Sequence, residues 1–161
     1  PFVFMIGNAV AQSAQPIVSF NYGSGDSRRV RSTLHVALLT AFACGLAVSG
    51  AFVLLPQQLV ELFVNNSEAA FPLAVNGFPL IAVSFVFFII NLTCIGYFQS
   101  IERVRPAMVF ALLRGLILLV PSFIALPFLL GENGIWLALA LSEMLTTLGI
   151  AGYSWWCCRH A

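Results

Sequence analysis

The chain has 161 residues, of which 60% are hydrophobic and 8% charged, and its net charge is +1. Soluble domains carry about 25% charged residues, and so few ionised groups cannot cover a surface that faces water, which excludes a water-soluble globule. The seven basic residues are all arginine and are scattered, which excludes a nucleic-acid footprint.

A bilayer core about 30 Å thick needs about 20 apolar residues at a rise of 1.5 Å each. Runs of that order extend over Pro1 to Phe20, Leu34 to Leu55, Phe78 to Gln99, Ala107 to Leu130 and Ile135 to Trp156. None alternates with period two, so barrel strands are excluded. The expected fold is an all-α polytopic transmembrane bundle of about five helices forming one membrane domain, with the lipid bilayer as its solvent.

The first run opens on a proline, with no initiator methionine, charged n-region or cleavage site before it, and reads as truncated. Within it Asn8, Gln12 and Gln15 recur at i, i+4, i+7 on one helical face, beside Ser13. Such a face avoids lipid, either as interhelical glue or as the wall of a translocation pathway. Pro16 removes one backbone hydrogen bond, which a cavity or neighbouring helix tolerates. Gly23-Ser24-Gly25 then makes a turn.

In the second run Ala41, Gly45 and Ser49 are spaced at i, i+4, as Gly7 and Ala11 are in the first, which lets helices approach closely. His35, near its start, reads as an interfacial residue, and Cys44 as packing. Between the second and third runs Leu59, Leu62, Phe63 and Val60 predict a short interfacial helix before the breaker run Asn65-Asn66-Ser67. That triplet also matches a glycosylation sequon, a pattern too common by chance to carry a function.

The third run contains Asn91, Thr93 and Cys94. Arg114 lies roughly 12 Å into the fourth run and Glu143 roughly 14 Å into the fifth, from opposite ends. A charge at such a depth costs about 2.5–3.5 kcal/mol even on the lenient insertion scale. The two therefore either pair or line a polar path in the bundle interior; alternatively, Arg114 snorkels and Glu143 stays neutral against a helix neighbour. Pro121 and Pro127 are expected to bend or end the fourth helix. Cys157 and Cys158, beside Trp155, Trp156 and Arg159, form a weak juxtamembrane acylation pattern, with packing as the plainer account.

Arginine marks the cytoplasmic loops. Arg28, Arg29 and Arg31 follow the first run, Arg103 and Arg105 the third, and Arg159 the fifth, whereas the alternate loops hold Glu61, Glu68 and Glu132 without a basic residue. The C-terminus is therefore expected in the cytoplasm. No HExxH, paired acids, nucleophile beside a base or phosphate-binding glycine loop is present, so no enzyme and no cofactor is expected. Any active transport would draw on an ion gradient or a partner.

The stretch from Ala11 to Gly23, AQSAQPIVSFNYG, closely resembles the AQxxQPIxSxNYG motif of the multidrug and toxic compound extrusion family. Two more stretches agree in order: Tyr97-Phe98-Gln99-Ser100 through Arg105-Pro106-Ala107 to Arg114, and Gly134-Ile135-Trp136-Leu137-Ala138 to Ser142-Glu143. The resemblance is closest to the DinF-like bacterial and archaeal members. It implies the last five helices, about the eighth to the twelfth, of a twelve-helix secondary exporter built of two lobes, with the remaining N-terminal helices as its partner. It also implies export of small organic cations or metabolites against sodium or protons, in a bacterial inner membrane.

Carried over by position, the resemblance gives Pro16, Asn21, Gly23 and Pro106 structural roles. Arg114 and Glu143 match the family's eleventh and twelfth helices, and with Gln12 and Gln15 of the polar face and Asn91 they are the candidate substrate or ion pathway. Three departures stand out: Glu102 where members often have glycine, Ala140 where many have proline, and a third helix with Asn91 but no acid. Two other expectations compete, a lipid-linked sugar flippase of the same superfamily and a non-transporting assembly module.

Overall fold

The computed structural model describes residues 2–62 and 70–160, apart from the side chains of Cys158 and His160. The described residues are helical throughout, joined by short turns. The helices are α1 (Phe2–Gly23), α2 (Ser27–Leu54), the short α3 (Pro56–Glu61), α4 (Ala70–Ser100), α5 (Val104–Leu112), a π-helical segment (Leu113–Ile117), α6 (Leu119–Leu130) and α7 (Glu132–His160). Phe63, the Asn65-Asn66-Ser67 run, Glu68 and the Cys158 side chain lie outside the described residues.

Four segments are long and apolar enough to cross a membrane: 27–54, 70–100, 104–130 and 132–157. Five crossings were expected, and α1 makes the difference. At 22 residues it has the length, but Asn8, Gln12, Ser13, Gln15, Ser19 and Asn21 dilute its apolar character. The outer surface of the bundle is hydrophobic, with Phe128, Leu129, Leu54 and Leu39 among its most exposed side chains, as lipid requires.

The helices begin earlier than their apolar runs. α2 starts at Ser27, not near Leu34, because Asp26 caps it by accepting the Arg29 N–H at 3.0 Å and arginine is a good helix former. α4 starts at Ala70, so Asn76 and Pro79 lie inside it and the stretch between the second and third spans is shorter than expected. The short helix after the second span is present but ends at Glu61. Its buried residue is Val60, while Leu62, expected on its apolar face, is exposed.

α4 is the centre of the bundle, packed against α1, α2 and α7, while α6 packs on α7. Small residues set the α1 and α2 contacts. A Cβ at Gly7 would stand 2.7 Å from Leu92 Cδ1, and one at Gly45 would stand 2.8 Å from the Val86 Cα. Ser49 donates its hydroxyl to the Ala82 carbonyl at 2.7 Å, and Ala41 is fully buried. Gly77 lies under the Trp136 ring, which joins α4 to α7 at the opposite end of the bundle.

The turn after α1, the turn after α4 and the end of α7 gather at one end, and six of the seven arginines are there. Both turns close the same way. After α1 the N–H groups of Gly25 and Asp26 bond the carbonyls of Tyr22 and Asn21 at 3.1 and 2.9 Å; after α4 those of Glu102 and Arg103 bond Gln99 and Phe98 at 3.1 and 2.9 Å. This paired termination needs a left-handed residue, supplied by Gly25 at φ +76° and by Glu102 at φ +59°. Phe98 of α4, Phe110 of α5 and Tyr153 of α7 pack ring against ring at 5.7–6.0 Å.

Candidate functional site

The span from Val104 to Leu130 is interrupted around Gly115, a residue that weakens an α-helix. Leu118 donates to the carbonyl of Leu113 at 2.8 Å, a bond one residue longer than the α-helical one, and the π-helical segment it closes holds Arg114. The interruption precedes Pro121, which has no N–H to offer the carbonyl of Ile117 four residues back. Pro121 and Pro127 both lie within α6, which ends at Leu130, and the irregular turn forms upstream of both. Such single-turn bulges recur at functional sites because they re-aim a side chain within a continuous helix.

Here the bulge directs Arg114 at α7. Its Nε donates to Glu143 Oε1 at 2.9 Å, and its carbonyl accepts from the Ser142 hydroxyl at 3.3 Å. The Arg114 guanidinium also lies over the Phe88 ring of α4, 4.2 Å from the centroid. The Glu143 side chain is 2% exposed and that of Arg114 13%, so Arg114 turns inward and does not snorkel.

Asn91, fully buried on α4, completes the cluster. Its amide nitrogen donates to Glu143 Oε2 at 2.8 Å and to the Glu143 carbonyl at 2.9 Å. The Thr147 hydroxyl, one turn after Glu143, lies 2.9 Å from both Asn91 Oδ1 and the Glu143 carbonyl; with a single proton it serves one of them at a time. Among the described residues no buried side-chain polar atom lacks a hydrogen-bond partner.

The electrostatics of the pair are finely balanced. At 2.9 Å and an effective dielectric of about 20, the gross attraction is about 6 kcal/mol. Placing the two charges at mid-membrane costs about 2.5–3.5 kcal/mol each. Attraction and desolvation nearly cancel, so the pair adds little net stability, yet losing either partner leaves the other charge buried and unmet.

Gln12 and Gln15 belong elsewhere. With Asn8 and with Gln99 of α4 they line an open groove of about 560 Å3 between α1 and α4. Gln15 Nε2 lies 3.4 Å from Gln99 Oε1, and Gly96 gives Gln15 room, since a Cβ there would stand 3.0 Å from its amide. Five candidate residues therefore form two groups, Arg114, Asn91 and Glu143 in one, Gln12 and Gln15 in the other, with α4 contributing to both. A third feature, an apolar groove of about 530 Å3, is walled by Phe2, Phe4, Phe78, Phe85 and Phe88.

The motif residues hold turns and helix ends. Asn21 is buried and donates to the Ile17 carbonyl at 2.7 Å, while its own carbonyl accepts from Asp26 N–H and from the Ser24 hydroxyl at 3.0 Å. Gly23 closes α1, but the left-handed position belongs to Gly25. Pro16 lies inside α1, and Pro106 is in the first turn of α5, where a missing N–H is tolerated. Phe88, Ser142 and Thr147 were not singled out by sequence. Thr147 carried a signal, lying four residues from Glu143 on the same face, whereas Phe88 is one phenylalanine among fifteen.

The MatE family model matches residues 1–124, which include Asn91, Arg114 and the groove residues. No curated protein and no solved structure matches the chain.

Proposed function

Because this chain belongs to the MatE family of membrane transporters, we propose that it is part of a secondary exporter of cationic amphipathic compounds in which the Glu143–Arg114–Asn91 cluster responds to an entering cation. The observation that carries this is the buried Arg114–Glu143 pair inside membrane-length helices. A proton or sodium ion reaching Glu143 competes with Arg114 for the same carboxylate. Once displaced, the Arg114 side chain loses its bond to α7 and keeps its contact with Phe88, while the Ser142 hydroxyl still holds the π-helical turn through the Arg114 carbonyl. The ring of Phe88 faces both the guanidinium and the apolar groove, so a bound organic cation would compete with Arg114 for it.

The resemblance of the motif stretches supports the finer reading: the eighth to twelfth helices of a twelve-helix antiporter of the DinF-like type, in a bacterial inner membrane with the arginine-rich end in the cytoplasm. The groove of Gln12, Gln15 and Gln99 would form part of the polar route. A flippase for a pyrophosphate-linked lipid would need a strongly cationic interior, whereas Arg114, the arginine that lies far from the ends of its span, is paired with Glu143. A passive assembly module gives no reason for a carboxylate at that depth.

The test is efflux of ethidium or norfloxacin from cells expressing the complete protein, with and without Glu143→Gln, under separately collapsed sodium and proton gradients. Loss of gradient-dependent efflux in the variant is the expected result, and the gradient whose collapse matches it names the coupling ion. Unchanged efflux would make Glu143 a packing residue, and no efflux from the unmodified protein would reject a drug substrate.

A further inference from the structure

A second polar pocket, of about 600 Å3, opens at the arginine-rich end between the turn after α1 and the turn after α4. Arg31, Arg103, Tyr22, Tyr97 and Ser27 contribute its polar groups, with Val30 and Ile101 as its buried apolar floor. No acid lines it. Asp26 is turned to Arg29, as N-cap and as ion-pair partner at 3.5 Å, and among the described residues neither Arg31 nor Arg103 pairs with a carboxylate. Arg103 reaches the Cys157 Sγ from Nη1 at 3.5 Å and interacts with the Tyr153 hydroxyl, both uncharged partners.

The positions of the two arginines are fixed by backbone. Arg103 is the residue whose N–H closes the turn after α4, and Arg31 lies in the second turn of a helix capped by Asp26. Two like charges held around one concavity repel unless an anion sits between them, and guanidinium matches a phosphate group with paired N–H donors. The location selects the source of that phosphate. The pocket lies at the ends of two membrane spans, its floor is apolar, and its two tyrosines are of the kind that anchor at headgroup level.

We propose that this pocket binds the phosphate of an anionic phospholipid headgroup, held by Arg31 and Arg103, with the acyl chains lying along the lipid-facing helices. The site is separate from the Glu143 cluster and does not depend on the exporter assignment. A lipid bound there bridges the α1–α2 turn to the α4–α5 turn.

The complete protein, purified in dodecylmaltoside, is titrated with dioctanoyl phosphatidylglycerol, dioctanoyl phosphatidylcholine and inorganic phosphate, following the unfolding temperature and lipid retention by native mass spectrometry. Phosphatidylglycerol is expected to raise the unfolding temperature and stay bound where phosphatidylcholine does not. At about fivefold per arginine, Arg31→Gln with Arg103→Gln should weaken binding roughly 25-fold, while Arg28→Gln with Arg105→Gln, an equal loss of charge outside the pocket lining, should weaken it less than about threefold. If the first pair does not fold, Arg31→Lys with Arg103→Lys keeps the charge and loses the planar fork, and should bind several-fold more weakly than the unmodified protein. Equal retention of phosphatidylcholine, saturation by inorganic phosphate at the same concentration, or equal weakening by both glutamine pairs would each overturn the proposal.

Discussion

Arg114 and Glu143 stand on antiparallel spans, and the arginine Nε reaches the glutamate Oε1 at 2.9 Å from within a π-helical turn. The bulge is thus part of the pair, since the same turn also presents the Arg114 carbonyl to Ser142. Replacing Arg114 by leucine leaves a buried carboxylate supported by Asn91, and replacing Glu143 by leucine strands a guanidinium. Each single change is expected to cost about 3–5 kcal/mol, and the double replacement much less than their sum. A double-mutant cycle by reversible unfolding in mixed micelles should give a coupling of at least about 2 kcal/mol. Additive costs would mean the two side chains do not sense each other.

Asn91 supplies both donors that reach Glu143 from α4. Asn91→Leu leaves Glu143 Oε2 without one of its donors and deprives Thr147 of one of its two acceptors. At about 1–3 kcal/mol per unmet buried group, a loss of about 2–4 kcal/mol is expected in the same unfolding assay. An unfolding midpoint equal to that of the unmodified protein would show that the network is dispensable.

Gly45 faces the backbone of Val86, whereas Gly50, further along α2, has nothing within 4 Å of where its Cβ would be. Gly45→Val must push α2 off α4 and should cost about 1–3 kcal/mol or more. Gly50→Val should change stability by less than about 0.5 kcal/mol. Similar behaviour of the two variants would contradict the close α2–α4 contact.

Glu102 occupies a left-handed position at φ +59° that closes the turn after α4. The strain costs a side-chain-bearing residue about 1–2 kcal/mol, part of which glycine gives back through a freer unfolded chain. Glu102→Gly is therefore expected to raise stability by about 1 kcal/mol, read as a higher unfolding temperature, and Glu102→Val to lower it. The resemblance marks this as a position where glycine is common, and the backbone angle supplies the reason.

The four membrane-crossing segments were legible because a run of apolar residues long enough to span lipid admits few other structures. Their starts were not: a search for uninterrupted apolarity stops at Arg31 and at Asn76, while the helix needs only a cap and residues without backbone conflict. Depth in the membrane singled out Arg114 and Glu143, but their geometry depends on the π-helical turn, for which Gly115 is a weak signal within 113–117. Phe88 was invisible for a related reason, since a phenylalanine under a guanidinium and one facing lipid look alike in sequence. The division of the polar residues into two groups follows from how α1 lies against α4, which a face pattern on α1 alone does not specify.

The bundle is joined by two unlike kinds of seam. At Gly7, Gly45 and Ser49, where α1 and α2 meet α4, small residues bring backbones into close contact, a fit that loses much of its attraction with a fraction of an ångström of separation. Where α7 meets the π-helical turn and Asn91, the closure is a handful of directional bonds whose attraction is nearly offset by the cost of burying the charges. The first seam rests on shape, whereas the second includes the charges of Arg114 and Glu143. The molecule therefore has a grain: one side of α4 is joined by shape, and the other adds to its ring contacts, Trp136 on Gly77 and Tyr153 on Phe98, a set of bonds that depends on the charge at Glu143.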